Sequence, residues 1–226
     1  MADNAEKKSL FRPTLIVAGL TSLSRVVGLI RDILISNVLG VSYITDIFII
    51  ALRIPNIFRR ITAEGAFSAA FIPMFSKKLI SNKISAIKFS EDILFMSLII
   101  MISITSVLQI FMPFFIYFIA YGFTNDPIKY DLAINFSRIT APYILLISLS
   151  SIGIAILNSL GRYFASSLGP VIFNAVLVFI LILPINNIYS MGYLLSFGVT
   201  FSGVIQFLLV FYFLSKSGYK LNLRKP

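Results

Sequence analysis

Apolar residues run along this chain in six long segments that end at charged or turn-forming residues. A helix needs about 20 apolar residues to cross the hydrocarbon core of a bilayer. The predicted helical segments are residues 13–39, 44–79, 93–121, 132–160, 164–183 and 188–214. The second is too long for one straight helix, and Pro55, Gly65 and Pro73 predict that it is bent or broken. The pattern therefore predicts an all-α fold, a polytopic membrane bundle of about six transmembrane helices.

Basic residues between these segments lie on alternate connections. The two ends of the chain and every second connection carry twelve Lys and Arg residues, whereas the other connections carry one, Lys129. Under the positive-inside rule the basic side is cytoplasmic, and an odd number of crossings would break the alternation. We therefore expect a cytoplasmic tail at 1–12, a membrane unit at 13–215 and a basic cytoplasmic tail at 216–226, which is a solvated end or the start of a further link.

The start of the chain also has a feature of secretory signals, because basic residues precede an apolar run. Arg25, Arg31 and Asp32 interrupt that run, and no small-residue cleavage site follows it. A retained first helix is the favoured interpretation, with cleavage as the alternative.

Composition narrows the classes of function. Hydrophobic residues make up 58% of the chain and charged residues 12%, about half the share that soluble domains have. Without cysteine or histidine there is no disulfide, thiolate or imidazole chemistry, so we expect no metal, no cofactor and no enzyme activity. The net charge of +10 would indicate nucleic acid in a soluble protein. Here the location of the charges matters more, and no nucleic-acid partner is expected.

Nine charged residues fall inside or at the ends of the apolar segments. They are Arg25, Arg31, Asp32, Asp46, Arg53, Arg59, Arg60, Glu64 and Arg138. An arginine at the bilayer centre costs at least about 2.5 kcal/mol, so such a group must face water, a partner charge or the interface. The basic members are all arginines, which bind phosphate in bidentate fashion and stay charged. The cluster predicts a cavity for an anionic ligand, although Arg59 or Arg60 could instead extend to the interface.

Spacing indicates which of these residues share a helix face. Arg25 and Asp32 are seven residues apart, which puts them on one face of the first segment. In the second segment the members of one predicted polar stripe are Asp46, Arg53, Asn56 and Arg60. Asn158 and Asn174 are expected to cap or bridge helices.

Several ordered motifs together closely resemble the beginning of the MurJ (MviN) lipid II flippases. In the first half they are SRVVGLIRD at 24–32, TD at 45–46, RIPNIFRR at 53–60, AEGAFS at 63–68 and FIP at 71–73. In the second half they are APY at 141–143, LNSLGRYF at 157–164, GP at 169–170 and Asn174. The resemblance extends over nearly the whole chain.

The resemblance implies one lobe of a two-lobed multidrug/oligosaccharidyl-lipid/polysaccharide exporter fold in the bacterial inner membrane. The implied substrate is lipid II, an undecaprenyl-diphosphate-linked disaccharide-peptide. For substrate binding the resemblance implies Arg25, Arg31, Arg59 and Arg53, of which Arg53 is the least consistent within the family. For gating or charge pairing it implies Asp32, Asp46 and Glu64. The implied hinge residues are Pro55 and Gly65.

Family members are about twice as long as this chain, which therefore corresponds to an N-terminal lobe and lacks a second-lobe arginine that the family needs. We expect lipid II, membrane lipids and a second-lobe chain as partners. The alternatives are an exporter of another polyprenyl-linked glycan or of a cationic drug, and a non-transporting fragment or scaffold.

Overall fold

The computed structural model describes the backbone of residues 2–62 and 66–222, and the side chains of residues 14–61 and 67–222. All regular elements in these ranges are helical, so the predicted all-α class is confirmed. The helices are α1 (Ala2–Val38), α2 (Tyr43–Thr62), α3 (Ala66–Ser81), α4 (Lys83–Ile110), α5 (Met112–Ile119), a 3-10 helix (Tyr121–Asn125), α6 (Pro127–Thr140), α7 (Pro142–Ser159), α8 (Phe164–Leu181) and α9 (Ile188–Lys216).

The helix boundaries follow local chemistry that the sequence displays. Asn82, Asp126 and Asn187 precede α4, α6 and α9, and each side chain accepts a hydrogen bond from a backbone N–H of the first turn. The turns after α1 and α7 contain Gly40 at φ 61° and Gly161 at φ 71°, a region that glycine enters without a steric penalty. These caps and turns fix where the chain reverses.

In the part of the chain that the structure describes, five helical stretches are long and apolar enough to cross a membrane. They are Thr14–Val38, Lys83–Ile110, Pro127–Ser159, Phe164–Leu181 and Ile188–Lys216. The predicted second segment is not among them because α2 carries four charges in 20 residues and α3 has only 16 residues. The fourth predicted segment is a single stretch with a break between α6 and α7, at Ala141.

The core shows how α2 and α3 together make the remaining passage. One cluster of buried side chains lies where the α1–α2, α5–α6 and α8–α9 connections meet, and it includes Ile44 and Ile54 of α2. The other lies at the α3–α4 and α7–α8 connections, and it includes Phe71 and Phe75 of α3. The described helices therefore make six passes between two ends of a bundle. We call the end with the second cluster the basic end, because Lys78, Lys83, Arg162 and Lys216 lie at its connections.

Two proline positions are supported by side chains from neighbouring helices. Helix α2 continues through Pro55, which has no N–H for the carbonyl of Ala51. That carbonyl instead accepts a hydrogen bond from the buried hydroxyl of Thr140, at 3.1 Å. At the break between α6 and α7, Pro142 likewise has no N–H for the carbonyl of Arg138. That carbonyl accepts a hydrogen bond from Nε2 of Gln109 at 2.8 Å. The carbonyl groups that the two prolines leave without a helical donor are thus bonded to other helices of the bundle.

The segment after α9 differs from the predicted solvated end. Tyr219 is only 6% exposed and packs against Phe75, and the ammonium group of Lys83 lies 4.8 Å from its ring centroid. The backbone N–H of Asn222 donates to Oε1 of the buried Glu91 at 2.9 Å. A buried carboxylate needs such a donor, and so residues 219–222 fold back onto the basic end.

Replacing Tyr219 with alanine is expected to release this segment. Burying an aromatic side chain of this size contributes several kcal/mol, and each 1.4 kcal/mol changes an equilibrium tenfold. We expect trypsin to cleave after Lys220 at least about ten times faster in Tyr219→Ala, measured by mass spectrometry of the intact chain. Tyr212→Ala is the matched control, because Tyr212 is an exposed tyrosine of α9. Equal cleavage rates in the two variants would show that 219–222 is not held by Tyr219.

Candidate anion-binding cavity

A cavity of about 690 Å³ lies between α1, α2, α7, α8 and α9. The basic residues that line it are Arg25, Arg31, Arg59 and Arg60. The neutral polar residues that line it are Ser24, Asn56, Asn158, Ser166, Asn174 and Gln206. In the described part of this lining there is no carboxylate, so the cavity is cationic.

Arg31 is held in place by two side chains. Its Nη1 donates to Oδ1 of Asn174 at 2.7 Å, while Nε and Nη2 both donate to Oδ1 of Asp32, at 2.9 and 2.6 Å. The Nδ2 of Asn174 donates to the carbonyl of Ser24 at 3.1 Å, which ties α8 to α1. A methyl group at Gly28 would lie 3.2 Å from this Nδ2, so glycine permits the close approach. The guanidinium group is therefore pre-oriented at the cavity wall.

The structure brings together three of the four predicted substrate-binding arginines. Arg25 and Arg31 come from α1 and Arg59 from α2, and all three line the same cavity. Arg60, which was expected to lie on the polar stripe or to reach the interface, also lines it and is exposed. The packing of α1 on α8 and of α2 on α7 sets this convergence.

Arg53 does not line the cavity, and neither do Asp46 and Asp32. The residues of α2 that line the cavity are Leu52, Asn56, Arg59 and Arg60, whereas Arg53 is exposed one helix position after Leu52. The predicted stripe is therefore divided, with Asn56 and Arg60 on the cavity and the other two members off it.

The acidic residues outside the cavity have other partners. Asp46 accepts from the ammonium group of Lys129 at 3.2 Å, which joins α2 to α6. Asp32 pairs with its neighbour Arg31.

Arg138 exchanges hydrogen bonds with Gln109, and its Nε donates to the carbonyl of Gln109 at 3.2 Å. Glu64 and Gly65 lie outside the described residues, so their predicted gating and hinge roles stay predictions.

Two polar lining residues, Ser166 and Gln206, were not predicted from the sequence. A signal did exist, since residues 163–215 contain no charge and an amide is unusual in such a stretch. Asn174 bridges α1 and α8, and Asn158 accepts from the hydroxyl of Ser166 at 3.1 Å between α7 and α8. Both asparagines thus act as bridges, as expected, and in addition they line the cavity.

The sequence model described as lipid II flippase MurJ matches residues 35–226 of this chain. The chain belongs to the MurJ family. The resemblance found in the motifs is therefore confirmed, and the family is one of transporters, not of enzymes. With its five membrane-span candidates, the chain is a multi-pass membrane protein of this family.

Relatives from several bacteria show how much of a family member this chain represents. A probable lipid II flippase MurJ of Rhizobium meliloti (strain 1021) is 34% identical over 223 residues, which is 96% of this chain and 42% of that protein. The lipid II flippase MurJ of Burkholderia cenocepacia is 35% identical over 201 residues, 88% of this chain and 39% of that protein. The chain thus spans about two fifths of the length of these relatives.

A solved structure extends the similarity to the fold. A lipid II flippase MurJ in an inward closed conformation superposes with a TM-score of 0.73 at 25% identity, over 93% of this chain and 43% of that chain. The helical bundle is therefore part of the MurJ fold.

Proposed function

We propose that this chain is the N-terminal lobe of a lipid II flippase and supplies half of the cavity that binds the diphosphate of the substrate. The observation that carries the proposal is the convergence of four arginines from α1 and α2 on one cavity without a carboxylate in its described lining. Arginine binds phosphate oxygens with two parallel hydrogen bonds and keeps its charge in a low-dielectric site. Family membership makes an undecaprenyl-diphosphate-linked disaccharide-peptide the substrate that best fits these groups.

In this mechanism no bond of the substrate is made or broken. Arg25, Arg31 and Arg59 bind the diphosphate, and the polyprenyl tail stays in the bilayer. Asp32 neutralises Arg31 when the cavity is empty, and phosphate oxygens take over as acceptors when substrate enters. Because Nη1 of Arg31 donates to Asn174, the side chain keeps its position during this exchange.

Movement of the headgroup requires the cavity to open on alternate sides of the membrane. In the proposed movement α2 bends at Pro55, and Gly65 acts as a second hinge. The Asp46–Lys129 pair, which joins α2 to α6 away from the basic end, is a charge pair that would break and re-form as α2 moves. Glu64 is assigned a corresponding role in gating or charge pairing.

The proposed orientation places the basic end and both termini in the cytoplasm of a bacterium, with residues 13–215 in the inner membrane. Lys and Arg residues concentrate at connections of that end, as the positive-inside rule requires. The headgroup would then move from the cytoplasmic to the periplasmic leaflet.

A second lobe completes the cavity in this proposal. Alternating access depends on two lobes that move against each other, and this chain covers 42% of a relative that has the length for both. The proposed partner is therefore a second-lobe chain, alongside lipid II and membrane lipids.

Genetic complementation tests the proposal directly. In cells depleted of their own lipid II flippase, we expect this chain alone not to restore growth and the chain co-expressed with a second lobe of a relative to restore it. Arg31→Gln in the same pair is expected to abolish the rescue, with membrane insertion checked by immunoblotting. Failure of the correctly inserted pair would contradict a role in transport.

The alternatives make different predictions for the same pair. An exporter of cationic drugs needs an acidic cavity, and the described lining of this one is basic. A non-transporting scaffold predicts that removing the charges of Arg25 and Arg31 has no effect on peptidoglycan synthesis.

A further inference from the structure

The cavity has a neutral wall to which the proposed function assigns no role. Asn158, Ser166 and Gln206 line it from α7, α8 and α9, whereas the arginines all come from α1 and α2. We propose that this amide wall, made of Asn158, Ser166 and Gln206, binds the uncharged sugar and amide groups of the headgroup. The inference rests on the proposed function, because it assigns the second half of the same headgroup.

Gln206 presents to the cavity an acceptor that no described residue uses. Its side chain is 4% exposed, and its Nε2 donates to the carbonyl of Ser202 at 3.2 Å within α9. This bond orients the amide, and Oε1, which has no donor among the described residues, is left open to the cavity. An accessible acceptor in a cavity wall without a protein donor is available to a donor group of a ligand.

Gly169 keeps this acceptor accessible. A methyl group at position 169 would lie 3.0 Å from Oε1 of Gln206 and would occupy the space in front of it. Gly169 itself is buried in α8 and lines the cavity. The glycine therefore allows α8 to approach the Gln206 side chain of α9 without covering its acceptor.

Asn158 supplies the complementary donor. Its Oδ1 accepts from Oγ of Ser166 at 3.1 Å, so its Nδ2 is the group left for a ligand, and no described residue accepts from it. The wall thus offers an N–H donor and a carbonyl acceptor in the same cavity. Sugar hydroxyls and acetamido groups both donate and accept, and they carry no charge that would compete for the arginines. A diphosphate, which only accepts, would leave Oε1 of Gln206 unsatisfied.

Two lipid probes separate the two halves of the cavity. The chain is reconstituted in nanodiscs, and its affinity is measured for undecaprenyl diphosphate and for lipid II, which adds the disaccharide-peptide. We expect Gln206→Met, which keeps the side-chain length and removes both hydrogen-bonding groups, to weaken binding of lipid II about fivefold to tenfold. The affinity for undecaprenyl diphosphate should change by less than about twofold. This retained affinity also shows that the variant is folded.

Gly169→Ala is the second variant, and it should weaken lipid II selectively by crowding the same acceptor. Ser202→Ala is the matched control on α9, because the hydroxyl of Ser202 donates to the carbonyl of Val199 and does not line the cavity. If Gln206→Met and Gly169→Ala change both probes equally, or change neither, the amide wall is overturned while the arginine site stands. If neither probe binds the unmodified chain, or if Arg31→Gln leaves binding intact, the proposed function fails and this inference fails with it.

Discussion

Replacing Arg31 with glutamine is expected to lower the affinity of the reconstituted chain for undecaprenyl diphosphate by about tenfold to a hundredfold. Hydrogen bonds to charged groups contribute about 1.5–3 kcal/mol each, and each 1.4 kcal/mol is a factor of ten. Arg31 lines the cavity and is held from two directions, by Asn174 at 2.7 Å and by Asp32. Its loss removes a donor that is already oriented, so no flexible neighbour replaces it at low cost.

Two further variants identify which property of Arg31 matters. Arg31→Lys keeps the charge but loses the planar pair of donors, and we expect an intermediate loss of about threefold to tenfold. Arg53→Gln removes an equal charge from α2 at a position off the cavity, and its effect should stay within about twofold. The affinities are measured by fluorescence titration in nanodiscs at fixed ionic strength. If Arg53→Gln and Arg31→Gln lower the affinity equally, a general basic surface binds the lipid and the cavity assignment is wrong.

The elements that sequence reasoning located correctly are those that a one-dimensional pattern controls. Long apolar runs between Gly, Asn and charged residues gave the helices, because a helix that crosses a bilayer must bury its backbone polar groups in its own hydrogen bonds. Arg25 and Arg31 were predicted to face a cavity because charge in an apolar segment needs polar surroundings, and the family resemblance added Arg59. The structure places all three there.

Positions that depend on helix rotation and on distant partners were not predictable in the same way. A spacing of seven put Arg53 on a face with Asn56 and Arg60, but the neighbours of α2 decide which part of that face meets the cavity. Packing against α6 and α7 directs Leu52, Asn56 and Arg59 inward and leaves Arg53 outside. The position of Gln206 was not predictable either, because it depends on the packing that brings Gly169 of α8 close to this side chain.

Replacing Gly192 with valine is expected to disrupt the packing of the bundle. A methyl group at position 192 would lie 2.6 and 2.7 Å from two ring atoms of Phe136, and 2.9 Å from Cγ2 of Ile44. Both neighbours are fully buried, and they belong to α6 and α2. Overpacking costs about 1–3 kcal/mol, and because both neighbours are fully buried we expect about 3 kcal/mol, which lowers the midpoint of thermal unfolding by about 6–12 °C.

Gly19→Val is the matched control, because it makes the same substitution in α1 where no atom lies within 4 Å of the new Cβ. Its unfolding midpoint, measured by scanning fluorimetry in the same detergent, should move by less than about 3 °C. Ile44 lies in the first turn of α2, the helix that brings Arg59 to the cavity. A larger side chain at position 192 would displace this helix, so the affinity for undecaprenyl diphosphate should fall together with the unfolding midpoint. An unchanged midpoint in Gly192→Val would mean that α2, α6 and α9 do not meet as closely as the packing around Phe136 requires.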